Sequence, residues 1–172
     1  RRTQYDLLPE EGDTCLYLGA GHGTSLSHIH DQVCGADNQK GGRIIAVDLS
    51  PRCLRDLVHL SKIRPGLVPV LGDARKHSAW GVMVATKVDW LLQDVSQAGQ
   101  AEIFINSVKR FLKPGGKGLL SLKAASERFT DTNEREVFNQ IREQLEDAGL
   151  TVQEQIDLHG LEDNHCLYYV TK

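Results

Sequence analysis

Short apolar runs rich in branched residues alternate along this chain with stretches of helical spacing, and that alternation constrains the fold more than any other feature. Strands separated by helices imply βαβ units around a mostly parallel sheet, because parallel strands need a long crossover between them. Cys15-Leu16-Tyr17-Leu18 reads as a first buried strand, with a helix from near Thr24 to about Val33. Residues 43–48 form a second strand. Ser50 then stands as N-cap with Pro51 at the first helical position, and Leu54, Leu57, Val58 and Ser61 give one face of a helix ending before Pro65.

Residues 67–71 are strand-like except for Pro69, which cannot donate to a ladder and so places this strand at the sheet edge. Residues 87–94 make a fourth strand. A helix with Phe104, Val108, Phe111 and Leu112 on one face follows, and Pro114-Gly115-Gly116 is expected to stop it. Residues 118–123 are a fifth strand, while Val137, Ile141, Leu145 and Ala148 line a last helix that Gly149 terminates. Residues 151–158 and 166–170 finish as two strands joined by a short polar loop, an antiparallel hairpin at the far edge. The expectation is one α/β domain over residues 1–172, with a mostly parallel seven-stranded sheet and helices on both faces.

Composition removes whole classes of function. The chain of 172 residues is 40% hydrophobic and 25% charged, which suits a soluble globular domain and neither a disordered nor a fibrous one. No apolar run approaches the roughly 20 residues of a membrane span, and the start lacks a secretory signal, so neither membrane insertion nor export is expected. Cys15, Cys34, Cys53 and Cys166 form no C-x-x-C pair and read as free thiols of a reducing compartment. With 20 Lys+Arg against 23 Asp+Glu, net charge −3, the chain has no concentrated basic face to grip nucleic acid unaided. The missing initiator Met and the Arg1-Arg2 start point to a piece of a longer chain.

Gly19-Ala20-Gly21-His22-Gly23-Thr24 lies between the first strand and first helix, where glycines permit a tight turn and let a ligand approach the backbone. The spacing is G-x-G-x-G, whereas G-x-G-x-x-G brings a pyrophosphate onto a helix N-terminus, so a compact nucleoside such as S-adenosyl-L-methionine fits better than a dinucleotide. Three carboxylates fall where such a pocket needs them, at the carboxyl ends of adjacent strands. Asp48, followed by Leu49, is placed to take both ribose hydroxyls. Asp73 and Ala74 are placed to read an adenine edge, and Asp94 ends the fourth strand. The structural alternatives are capping for Asp48 and Asp94 and a solvated turn for Asp73.

These residues resemble the fibrillarin family. The likeness runs through Tyr17-Leu18-Gly19-Ala20, Gly23-Thr24, Ser27-His28, residues 46–50, Arg52, Arg55-Asp56-Leu57, Asp73-Ala74-Arg75, Asp94-Val95-Ser96-Gln97 with Gln100, residues 112–116 and Ser121-Leu122-Lys123-Ala124. It implies a Rossmann-like, S-adenosyl-L-methionine-dependent RNA 2′-O-methyltransferase working on rRNA or tRNA inside a box C/D ribonucleoprotein. The implied partners are the box C/D guide RNA, its target RNA, a scaffold protein of the Nop5, Nop56 or Nop58 type and, indirectly, a kink-turn-binding protein of the L7Ae type. The location would be cytoplasmic in an archaeon and nucleolar in a eukaryote. Asp48 stands where the family usually has Glu, Gly21-His22 replaces small residues, and Asn164 replaces the Asp common before the histidine matched by His165. The family's β-rich N-terminal domain and a catalytic-site lysine would fall before Arg1.

By the same resemblance Asp94, Lys123 and His165 match the family's active-site carboxylate, lysine and histidine, and Gly19, Ala20, Gly21, Gly23, Thr24, Asp48, Leu49, Asp73, Ala74, Asp94 and Gln97 the cofactor site. A ribose 2′-hydroxyl is a weak nucleophile and the sulfonium methyl an activated electrophile, so positioning carries much of the catalysis. Lys123 ends an apolar strand, where partial desolvation would lower its pKa and let it accept the hydroxyl proton with Asp94 orienting it. The plain alternatives are a lysine snorkelling to water and a surface histidine in a loop. His28 and His30, two apart on a helix, face different directions, and no metal is expected. Trp80 and Trp90 could stack on a base, Trp90 reading better as core. Competing functions are methylation of a protein side chain such as a histone glutamine, a non-catalytic cofactor-binding module of the same ribonucleoprotein, and a nicotinamide dehydrogenase, which the loop spacing disfavours.

Overall fold

The computed structural model describes residues 3–127, 133–160 and 164–172. The Arg1-Arg2 start and part of the expected polar loop, residues 161–163, lie outside them. In chain order the elements are β1 (Thr14–Leu18), α1 (Thr24–Val33), β2 (Arg43–Asp48), α2 (Pro51–Ser61), β3 (Leu67–Leu71), α3 (His77–Trp80), β4 (Val88–Gln93), α4 (Gln100–Phe111), β5 (Leu112–Lys123), α5 (Glu134–Asp147), β6 (Thr151–Asp157) and β7 (His165–Thr171). The seven strands form one sheet ordered β3-β2-β1-β4-β5-β7-β6. All neighbours are parallel except β7, which runs antiparallel to β5 and β6. This is an α/β fold with a mostly parallel seven-stranded sheet, as the alternation implies.

Period-two alternation divides the strands between two cores. Leu16, Leu18, Ile45, Val47, Leu91, Leu120 and Tyr168 face one side, where Trp80 of α3, Phe104 of α4 and Ile141 of α5 cover them. Cys15, Tyr17, Ile44, Ala46, Trp90, Leu119 and Tyr169 face the other, beneath Leu26 and Ile29 of α1 and Leu57 of α2. The segment before β1 extends that second cover: Tyr5 packs on Tyr169 with ring centroids 5.3 Å apart, and Trp90 Nε1 donates to the Leu7 carbonyl at 2.9 Å. Trp90 is therefore core.

Local signals act where the sequence places them. Ser50 Oγ accepts from Cys53 N–H at 3.3 Å and Pro51 opens α2. β3 pairs only with β2, so the N–H that Pro69 lacks costs the sheet no ladder on its outer side.

Two expectations need correcting. α4 ends at Phe111, and Leu112 is already extended, the first residue of β5 instead of the last of the helix face. Pro114-Gly115-Gly116 therefore lies inside a strand, in a bulge where two steps along β4 (Val88 to Trp90) match five along β5 (Leu112 to Lys117). Gly115 takes a φ of 76°, and a Cβ on Gly116 would stand 2.8 Å from the Asp89 carbonyl oxygen, so this approach of β5 to β4 requires glycine. The second correction is Trp80. It is 2% exposed, stacks on Phe111 at 5.3 Å and donates from Nε1 to the Asp73 carbonyl at 2.8 Å, so it is core and cannot stack on a base.

Candidate active site

The carboxyl ends of β1, β2 and β4 open into a cavity of about 500 Å³. Gly19, Gly21, Asp48, Leu49, Gly72, Ala74, Asp94, Val95, Ser96, Gln97 and Lys123 are among the residues lining it. The glycine turn is built tightly against the neighbouring strand end. Gly19 has a φ of 82°, and a Cβ there would stand 2.1 Å from the Asp94 carbonyl oxygen. Gly19 N–H donates to the Val47 carbonyl at 2.8 Å. Any side chain at position 19 would push β1 away from the segment that follows β4.

Asp48 fixes the rim. Its Oδ2 accepts from Gly21 N–H and its Oδ1 from Ser50 N–H, each at 2.8 Å. One carboxylate thus ties the glycine turn to the entry of α2, and each oxygen keeps lone-pair capacity for a ligand hydroxyl. The capping and the ligand-binding readings of Asp48 are compatible.

Asp94 and Lys123 meet across the floor. Lys123 Nζ stands 3.0 Å from Asp94 Oδ1 and donates to Ser96 Oγ at 3.1 Å. Asp94 Oδ1 is a buried acceptor that has this ion pair but no hydrogen bond. Gln97 Oε1 is a second one in the same wall. Buried acceptors of this kind are costly unless something donates to them. S-adenosyl-L-methionine carries an ammonium, two ribose hydroxyls and an exocyclic amine as donors, and the cavity offers Asp48, Asp94 and Gln97 as acceptors. The residues fit that cofactor.

Several expected residues lie elsewhere. Asp73 is not in the lining, although Gly72 and Ala74 are. Arg75 grips its carboxylate in a fork, Nε to Oδ1 at 3.0 Å and Nη2 to Oδ2 at 2.7 Å, and Gln97 Nε2 adds a third donor at 3.4 Å. The Arg75 guanidinium is the main reason the Asp73 carboxyl falls to about 2. Asp73 therefore holds the loop that presents Ala74, between two residues of the cavity lining. Ala20 is buried in the α1/α2 core, Gly23 packs on Leu57 and Leu60, and Thr24 is the exposed first residue of α1. His165 lies outside the lining but directly opposite Lys123 in the β5/β7 ladder, on the same face of the sheet. His30 is committed to structure: it is 1% exposed, with Nε2 2.9 Å from the Pro65 carbonyl oxygen and Nδ1 facing Arg64 Nη1 at 3.2 Å.

Gln100 carries a role that reading the sequence did not assign. Its Oε1 accepts from Lys123 N–H and its Nε2 donates to the Lys123 carbonyl, each at 3.0 Å. Glu127 in turn accepts from the backbone N–H groups of Gly99 and Gln100, at 3.2 and 2.7 Å, and from Gln100 Nε2 at 3.1 Å. Gln100 is wholly buried at the first position of α4. A buried amide opening a helix is a visible oddity in sequence, but its partner 23 residues away is not.

The fibrillarin family model matches residues 5–172. This chain belongs to the fibrillarin family. A relative from Thermococcus sibiricus, a fibrillarin-like rRNA/tRNA 2′-O-methyltransferase, is 41% identical over 161 residues, spanning 94% of this chain and 68% of that protein. The solved fibrillarin of Aeropyrum pernix, in complex with natively bound S-adenosyl-L-methionine, superposes with a TM-score of 0.80 at 34% identity, covering 94% of this chain and 67% of that one. A fibrillarin/Nop5p complex contains a chain that superposes with a TM-score of 0.85 at 29% identity, covering 98% of this chain and 77% of that one. Among the described residues no helix is long and apolar enough to cross a membrane.

Proposed function

We propose that this chain is an S-adenosyl-L-methionine-dependent methyltransferase that modifies ribose 2′-hydroxyls of rRNA or tRNA. The observation that carries the reading is the Asp94–Lys123 pair, 3.0 Å apart in the same wall as the glycine turn and Asp48. When bound, the cofactor supplies an electrophilic methyl group. Asp48, Gly21 and Leu49 would hold its ribose end, and Asp94 and Gln97 would accept from its donors. The paired Asp94 and Lys123 sit where they would take up the hydroxyl proton and offset the charge that builds on the attacking oxygen. His165, opposite Lys123, would approach the ribose from the β7 side.

Delivery of RNA falls to partners in this reading. A net charge of −3 gives little counterion-release drive, so box C/D guide RNA and a Nop5-type scaffold would bring the target, with an L7Ae-type protein acting through the guide. Residues 1–172 would then work as one methyltransferase domain, in the cytoplasm if the source is an archaeon, as for the Thermococcus sibiricus and Methanocaldococcus jannaschii relatives, and in the nucleolus if it is a eukaryote. The test is methyl transfer from labelled S-adenosyl-L-methionine to a guide-matched RNA, by this chain with and without guide and scaffold. Label at the guided ribose only with all partners is the expected result. No transfer with every partner present would sink the enzymatic reading.

A further inference from the structure

On the outer side of the glycine turn, away from the Asp94–Lys123 floor, three side chains converge. His22, between Gly21 and Gly23, places Nε2 3.6 Å from Cys53 Sγ and Nδ1 2.6 Å from Asp56 Oδ2. Cys53 and Asp56 are three apart on α2 and so share one face of the helix. A carboxylate on Nδ1 fixes that nitrogen as the donor and leaves the Nε2 lone pair to accept the thiol proton. His22, followed by Arg55, holds the Asp56 carboxyl below its usual range, so the group is an anion at neutral pH. Nucleophile, base and orienting carboxylate in this order are the arrangement that activates thiols.

The other three thiols are a built-in contrast. Cys15, Cys34 and Cys166 are 0% exposed, and burial pushes all three up, Cys166 to about 12. Cys53 is half-buried at the surface. Reactivity follows access and an adjacent base, so the four thiols differ sharply in what can reach them.

We propose that Cys53, with His22 as base and Asp56 as positioning residue, is a modification site for small disulfides, and that its modification weakens cofactor binding. In the step, the Cys53 thiol proton passes to His22 Nε2 and the thiolate attacks one sulfur of the disulfide. The Cys53–sulfur bond forms as the disulfide bond breaks, and the departing thiolate takes the proton from His22. Cys53 ends oxidised to a mixed disulfide and the released half of the reagent ends reduced to a thiol.

The link to the pocket is short. The group added at Cys53 occupies the space of the His22 imidazole, and His22 is flanked by Gly21, whose N–H binds Asp48, and Gly23, which packs on α2. Displacing the imidazole therefore disturbs the turn that lines the cavity. By linkage, bound cofactor must disfavour the modified form at equilibrium by the same factor by which modification weakens the cofactor. This second half rests on the cofactor reading of the cavity.

The test uses the folded chain and 5,5′-dithiobis(2-nitrobenzoate), an aromatic disulfide whose released thiol is acidic enough to give its proton to water and be read as a coloured thiolate. One thiol should react without denaturant, and Cys53→Ser should abolish that reaction. His22→Gln should slow it about 10²-fold, the low end for a positioned base, and Asp56→Asn by less. In urea all three His22- and Asp56-series proteins should react alike, which separates loss of the base from loss of the fold. The unassisted His22→Gln thiol should also gain rate roughly tenfold per pH unit, while wild type and, less strongly, Asp56→Asn should show a shallower profile. Equal native rates for wild type and His22→Gln would overturn the proposal. Saturating S-adenosyl-L-methionine should slow labelling, and labelled chain should lose the melting-temperature rise that unlabelled chain shows with cofactor. A rise that survives labelling would overturn the coupling alone, whereas no rise in unlabelled chain would count against the cavity as the cofactor site.

Discussion

Gln100 grips both backbone polar groups of Lys123, accepting from its N–H and donating to its carbonyl at 3.0 Å in each case. The lysine's backbone is thereby fixed at the point where β5 ends, and its ammonium stands beside Asp94 and Ser96. Gln100→Met keeps the volume and removes the clamp. Turnover should fall about 10-fold or more, since small misplacements of a catalytic group are costly, with KM for cofactor nearly unchanged. Stability should fall by about 1–3 kcal/mol, the cost of buried groups left without partners. Steady-state kinetics with guide complex and thermal unfolding check both; a change in KM alone would contradict the positioning role.

Lys123→Ala should lose roughly 10²–10⁴ in turnover. Cofactor affinity should change much less, because the interactions of Lys123 strengthen as the proton departs. Asp94→Ala should lose both turnover and affinity, since Asp94 Oδ1 is one of the buried acceptors facing the cavity. His165→Ala, on the strand opposite Lys123, is expected to reduce turnover less than either. Isothermal titration beside the methyl-transfer assay separates the three.

Asp48→Ala should erase most of the melting-temperature rise produced by S-adenosyl-L-methionine. It should also lower the melting temperature of the free protein, because Gly21 N–H and Ser50 N–H lose their acceptor together. Gly19→Ala should be the more damaging change, combining a φ of 82° with a 2.1 Å approach to the Asp94 carbonyl. Differential scanning fluorimetry with and without cofactor reads both.

The Asp73–Arg75 fork makes a prediction about acid. Asp73 sits at about 2 when folded, below the roughly 3.9 of an unfolded aspartate. The depressed value means the contribution is complete above the unfolded value and is lost as pH falls toward 2. Arg75→Met should therefore be less stable than wild type at neutral pH, and the gap should narrow between about pH 4 and 2. Urea unfolding across that range measures it. A gap that stays constant to pH 2 would place the stabilisation of this loop elsewhere.

Much of this molecule is legible from residue order alone, and the reasons differ by element. Pro69 marks the edge because a missing N–H is tolerated only there, and Ser50-Pro51 marks a helix start because both residues act on their own backbone. The Pro114-Gly115-Gly116 run misleads because glycine permits a bulge as readily as a helix stop, and only the pairing of Leu112 and Lys117 with Val88 and Trp90 of β4 decides between them. The Arg75 fork on Asp73 is not legible, because a strand-end carboxylate in sequence says nothing of which neighbouring cation it holds. The Gln100–Lys123 clamp and the His22–Cys53–Asp56 group join residues 23 and 31 to 34 positions apart. No periodicity encodes such meetings, which the packing of whole elements creates.

The strand order β5-β7-β6 sets a timetable for the molecule as it is made. β5 finds its neighbour β4 early, but its other edge waits for the strand that leaves the ribosome after the other six. Until β7 slides between β5 and β6, residues 117–123 of β5 present an open row of donors and acceptors, the kind of edge on which nascent chains stick to one another. The same late arrival brings His165 opposite Lys123. The residue proposed to complete the catalytic floor thus comes into register only when that adhesive edge is sealed.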